Sequence, residues 1–207
     1  MKKTLCLPLN TSPEQAARLR ALQQAFAQVC NALAPTVAQT RVWNRVALHH
    51  MAYRQLREQF PDLGSQMVCN AIYAVSRISR TVYQHPASPF NASRLRVGPL
   101  PVLRFVDTLP VYFDRHTLSI KDGKLSMFAL GGRMHFNLSL RPKDEAAFHK
   151  EKLLEIVMSR NADGAFELRF LFQRPDENET VDRAADPAGL PTGVIAIPEY
   201  VQVEEIE

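Results

Sequence analysis

Arginine is the commonest side chain in this chain that could do chemistry. Arg outnumbers Lys by 18 to 7, with close pairs at Arg54/Arg57, Arg77/Arg80 and Arg94/Arg96. A guanidinium is a planar fork suited to phosphates and base edges, so the bias points to a polyanion. Catalytic combinations are harder to assemble. The six histidines, including His49-His50, contain no HExxH spacing, and neither GxSxG nor a glycine-rich phosphate loop occurs. Cys6, Cys30 and Cys69 lie far apart with no CxxC. They read as small buried residues of a protein from a reducing cytoplasm, and no zinc ribbon or disulfide framework is expected. Asp107, Asp114 and Asp122 fall where turn chemistry explains them. No cofactor and no metal is expected.

Charge is unevenly spread. Residues 1–160 carry 22 Lys+Arg against 10 Asp+Glu, whereas residues 161–207 carry 3 against 11. A basic body thus precedes an acidic end. Over a Debye length of about 10 Å such a body attracts nucleic acid above other partners. No run approaches the roughly 18 apolar residues of a membrane span, and "MKKTLCLPLN" lacks the features of a signal peptide.

The elements that must position these side chains follow from periodicity. "KKTLCLPL" reads as a short strand. Ser12, Pro13 and Gln15 then form a near capping box for a helix whose buried face is Leu19, Leu22, Phe26, Val29 and Leu33. Pro35 should end or bend it, and a second helix is expected from about Thr36 to Phe60, with Arg41 and Arg45 on one face. After "FPDLG", Ser65 should cap a third helix with the stripe Val68, Ile72, Val75, Ile78, Val82, while Arg77 and Arg80 point elsewhere. From "QHPASPF" onward, prolines and β-type residues take over. "VYFDRHTLSI-KDG-KLSMFAL-GG-RMHFNLSL" predicts three strands with two tight turns. "KLLEIVMSR-NADG-AFELRFLFQ" predicts a hairpin with Leu168, Phe170 and Phe172 on one face. A polar linker follows, and Val194 to Ile197 in "GVIAIPEY" reads as a final buried strand. The expected class is α+β: a small closed β-barrel, completed by the first strand, with three helices inserted after that strand.

Four segments in this order resemble TnpB, the transposon-encoded RNA-guided nuclease family to which CRISPR type V effectors are similar. They are "LPLNTSPEQAARLRALQQAFAQVCN", "YRQLREQFPDLGSQMVCNAIYAVSRISRTVY", "YFDRHTLSIKDGKLSMFALGGRMHFNLSL" and "EIVMSRNADGAFELRFLFQ". The resemblance covers roughly residues 3–197, with Gly64 where Pro is usual in the family. It implies an OB-like wedge barrel from 1–11 and 86–174, a helical recognition lobe at 12–85, and an acidic linker with terminal strand at 175–207.

The resemblance also implies roles. Ser65, Gln66, Cys69 and Asn70 would face a DNA major groove, where amides suit adenine edges. Tyr53, Arg54 and Arg57 would form the neighbouring contact face. Arg77 and Arg80 would meet the backbone of a guide–target duplex. Arg94, Arg96, Arg104, Lys121, Lys124 and Arg133 would meet scaffold RNA. "PFNASRLR" departs from the family's "PRFK" tract, which implies a different scaffold. The family's nuclease half uses three carboxylates on two metal ions. Aligning "GVIAIPEY" with its first strand puts Pro198 at the first Asp, with Glu199 one residue out of register, and no sequence follows to supply the other two.

The expectation is therefore a non-catalytic module that binds structured or guide RNA, and a short DNA motif, without cleavage. Three alternatives stay open: a subunit pairing through the acidic stretch from Asp176 to Glu207 with a separate nuclease or effector chain, a split nuclease completed in trans, and an RNA-sequestering regulator or inhibitor.

Overall fold

The computed structural model describes residues 2–173 and 195–204. Strand β1 (Lys2–Pro8) leads into helix α1 (Pro13–Thr40), followed by α2 (Arg45–Gln59), a 3-10 turn (Pro61–Leu63) and α3 (Ser65–Ser79). The capping box forms as its spacing predicts: Gln15 N donates to Ser12 Oγ (3.1 Å) and Ser12 N to Gln15 Oε1 (2.9 Å). All five residues of the anticipated α1 face are buried.

Pro35 does not end this helix. It lies on the exposed side, where water can satisfy the carbonyl that its missing N–H leaves free. The break comes instead at Arg41, which caps α1 in the left-handed region (φ 57°). Its guanidinium donates to the carbonyls of Ala92 (2.8 Å), Leu95 (2.6 Å) and Gly98 (2.9 Å), offsetting a backbone cost of roughly 1–2 kcal/mol. Arg41 therefore belongs to no α2 face. Asn44 caps α2, accepting from Val46 N and Ala47 N. Similarly, Gly64 (φ 65°) rather than Ser65 is the N-cap of α3. The stripe Val68, Ile72, Val75, Ile78, Val82 is buried as the spacing requires, and it runs into a π-helical turn, Arg80–Gln84.

The second half is antiparallel β-structure in three sheets. β3 (Val111–Phe113), β7 (Lys152–Arg160), β8 (Phe166–Gln173) and β1 form the largest, in the order β1-β8-β7-β3. The first strand thus joins strands made at the other end of the chain, with Leu5 opposite Phe170. β2 (Val102–Phe105) pairs with β9 (Val201–Glu204), and β4 (Leu118–Lys121), β5 (Lys124–Ala129) and β6 (Gly132–Asn137) form a meander. Among the described residues the strands close no barrel, which corrects that expectation; α1 fills the space between sheets, contacting β2 and β5.

Local chemistry explains the other departures. Asp122 (φ 49°) and Gly123 (φ 71°) make the two-residue turn that "KDG" predicts. "VYFDRHTLSI" splits into two strands because the Asp114 carboxylate accepts from His116 N (2.9 Å) and Thr117 N (3.1 Å), folding the chain into an Asx turn. "GVIAIPEY" contributes no strand over its described residues, Ile195–Tyr200, and Ala196 is exposed. Pro198 cannot donate to a ladder, and its carbonyl accepts from Val201 N (2.9 Å) to close a turn, so pairing begins at Val201. Val194 and most of the acidic linker lie outside the described residues.

Helix α4 (Pro142–Lys150) is not anticipated by periodicity, because Phe148 is its one large apolar residue. That ring sits edge-on to both Phe170 and Phe172 at 5.0 Å, covering the apolar face of the large sheet. The helix is tied down through buried Asp144, which accepts from Arg141 Nε (2.7 Å) and pairs with Lys3 (3.5 Å). The Arg141 hydrogen bond, aided by the Arg141 and Lys3 charges, holds its carboxyl below the usual carboxylate range. A depressed carboxyl stabilises above its unfolded value of about 4, and that stability is lost as pH falls through the folded value. Asp144→Asn should therefore be less stable than the parent at pH 6, with the gap closing as pH falls through the lowered value of the folded carboxyl. Urea midpoints across that range test this, and a gap that persists in acid would count against it.

Candidate nucleic-acid interface

The side chains of α3 that solvent partly reaches form one stripe: Gln66, Cys69, Tyr73 and Arg77, spaced three, four and four residues apart and leading to exposed Arg80. The opposite face is core, so the burial that fixes the helix also fixes which residues it presents. α2 flanks the stripe on one side, and β3 with its following turn on the other.

The α2 side is basic. Arg45 is exposed and places its guanidinium 5.1 Å from the Tyr73 ring centre. Half-buried Arg57 has a shielded Nη1 with no hydrogen-bond partner among the described residues. Tyr53 stacks on His49 (4.5 Å between ring centres), and Arg54 points outward to an exposed pair with Glu58 (3.3 Å). Such a pair contributes little.

The β3 side is where the sequence expectation shifts. Asn70 is only 6% exposed, and its amide donates to the Tyr112 carbonyl (3.0 Å). It faces β3 rather than a groove outside the protein. Gln66 donates its amide to Asp114, leaving its carbonyl oxygen for other contacts. Arg77 pairs with Glu155 of β7 and lies over the Tyr112 ring (5.9 Å). Burial opposes its charge, but Tyr112, Glu155 and Tyr73 hold its pKa above the ordinary arginine value. Arg77 thus fastens α3 to the sheet and does not point to a duplex. Ser65 is exposed at the start of the stripe.

Cys69 lies midway along the stripe. Burial raises its thiol pKa, with Arg45 and Arg57 opposing and Asp114 reinforcing the rise. Buried Cys30 is raised far more, while Cys6 is exposed. Since the thiolate is the reactive form, alkylation at pH 8 should label Cys6 first, Cys69 more slowly, and Cys30 only on unfolding. Mass spectrometry of a labelling time course would show the order; Cys69 reacting ahead of Cys6 would contradict this account.

The remaining sequence candidates do not join this stripe. Arg94 donates to the carbonyls of Pro86 (3.0 Å) and Ser88 (3.4 Å), stapling its own loop, beside exposed Arg96. Arg104 pairs with Glu204 across β2 and β9 (3.2 Å). On the meander, exposed Lys121 and Lys124 stand directly opposite each other, an arrangement that favours an anion between them. Arg133 reaches across to Ser126 (2.7 Å to Oγ). The structure thus yields an α2–α3 stripe, a loop pair and a meander patch.

Tyr73 belongs to the stripe, and Arg45 and Tyr112 flank it, although sequence reasoning assigned them no contact. Tyr73 is four residues beyond Cys69, a helical spacing that was available; Tyr112 required knowledge of which strand α3 meets. No group of His, Cys, Asp and Glu among the described residues is placed to hold a metal, and no described helix is long and apolar enough to cross a membrane. No protein-family model matches this chain, and no curated protein matches it.

Proposed function

We propose that this chain is a non-catalytic RNA-binding recognition module of a TnpB- or type V-like RNA-guided system, binding structured or guide RNA and a short DNA motif without cutting. The observation that carries the reading is the α3 stripe, where Arg45 and Arg57 flank Tyr73, Cys69 and the free end of Gln66. Exposed Arg45 and half-buried Arg57 beside an aromatic ring and an amide suit phosphates, stacked bases and base edges respectively. In this reading residues 1–11 and 86–174 descend from an OB-like wedge, and Arg96, Lys121 and Lys124 are the RNA contacts with the freest charges. In a split arrangement a separate nuclease chain would supply cleavage, and the acidic stretch from Asp176 to Glu207 would be its contact.

Sequencing of RNA co-purified with the full chain tests the proposal. One enriched small RNA is the expected result. Recovery of no RNA, or of a random sample that washes off at modest salt, would overturn it.

A further inference from the structure

A cleft of about 480 Å³ lies between the β7–β8 turn, the loop before β3 and the turn before β9. Thr108, Ser159, Arg160, Asn161, Glu199 and Tyr200 supply its polar wall. Arg160 is its one cation. The Nε of Arg160 is shielded from solvent yet has no hydrogen-bond partner among the described residues. No side-chain hydrogen bond or ion pair commits the half-buried Arg160 guanidinium among the described residues, which leaves its outer nitrogens for a ligand. A guanidinium pairs best with a bidentate oxyanion, and the neighbouring hydroxyls of Thr108 and Ser159 suit phosphate oxygens. Tyr200 is half-buried and offers an aromatic wall. At Gly164 nothing stands within 4 Å of where a side chain would begin, so one wall is open to an incoming ligand. The volume falls in the range of small-molecule sites and suits a single nucleotide.

We propose that this cleft binds a nucleoside monophosphate unit, with Arg160 holding the phosphate and Tyr200 lining the base. The unit is either a free nucleotide or the 5′-phosphorylated end of an RNA. Glu199 stands exposed on the rim, and its negative charge opposes the ligand's.

Calorimetry on the full chain with AMP, adenosine and inorganic phosphate tests the site. AMP should bind at least about tenfold more tightly than adenosine. Arg160→Gln should remove that preference, and Glu199→Gln, an exposed change that leaves the fold intact, should strengthen AMP binding severalfold. Paired 5′-phosphate and 5′-hydroxyl oligoribonucleotides separate the sources. Preference for the phosphorylated oligomer over AMP assigns the site to an RNA end, and the reverse assigns it to free nucleotide. Equal binding of AMP and adenosine, no binding of either, or an Arg160→Gln variant that keeps the preference overturns the proposal. An Arg45→Glu/Arg80→Glu double variant should bind AMP as the parent does, so failure of the stripe and failure of the cleft are distinguishable.

Discussion

Replacing Arg77 with alanine should lower stability by about 3 kcal/mol, a fall in Tm of roughly 6–12 °C for a chain of this size. Arg77 and Glu155 are 22% and 13% exposed at their side chains, so each is largely removed from water. The pair was costly to desolvate, and removing one partner strands the other. Glu155 would then face Tyr112 and Tyr200, neither of which can neutralise a carboxylate, with Arg169 the remaining cation acting on this cluster. The ring of Tyr112 would also lose the guanidinium that covers it. The double variant Arg77→Met/Glu155→Leu should recover most of the loss, because it removes both charges and keeps apolar volume. Urea denaturation of the parent, Arg77→Met, Glu155→Leu and the double variant forms a complete cycle. A coupling below about 0.5 kcal/mol would show that the pair is not what joins α3 to the sheet.

The second large effect concerns binding. Arg45→Glu/Arg80→Glu reverses two exposed charges along the α3 stripe, one beside Tyr73 and one just beyond Arg77, neither of which has a hydrogen bond or ion pair among the described residues. If both meet phosphates of a single-stranded RNA, the slope of log K against log salt should shrink by about 1.4. Affinity near 0.1 M salt should fall about a hundredfold, equivalent to roughly 2.7 kcal/mol. Lys150→Glu, an exposed charge on α4, provides the control and should cost no more than about threefold. Filter binding or anisotropy across a salt series gives both numbers. Equal losses from the stripe variant and from Lys150→Glu would mean that net charge, and not this stripe, attracts the RNA.

Much of the local structure was legible from the sequence. The capping box at Ser12, the "KDG" turn, the Leu168-Phe170-Phe172 face and the return of the first strand to the later sheet all follow from residue types and spacing. Each rests on interactions within a few residues or on an apolar alternation that leaves few options. The misreadings have two causes: a distant partner overrode the local signal, or a turn a few residues away did. Pro35 is a helix breaker, but α1 is held by α3 and β2 and ends where Arg41 finds three loop carbonyls. "VIAI" has strand composition, yet Pro198 and the turn after it hand the pairing to Val201. At the candidate interface, sequence could say that α3 carries Gln66, Cys69, Asn70 and Arg77. It could not say that β3 and β7 claim Asn70 and Arg77. Position on the helix was readable, but which polar groups were already committed depended on strands far along the chain.

The pairing of β1 with β8, and of β2 with β9, sets the order in which this protein can fold during synthesis. α1, α2 and α3 carry complementary apolar faces close in sequence, and can pack as soon as they leave the ribosome. β1 is made first but stays unpaired until β8 follows, and β2 waits for residues 201–204. Long-range antiparallel pairings of this kind are slow to close. Between the release of α3 and that of residues 201–204, the nascent chain therefore holds packed helices beside strands with open edges. Lys2, Lys3 and Pro8, which sit on the waiting strand, are the residue types that discourage it from pairing with the wrong neighbour in the interval.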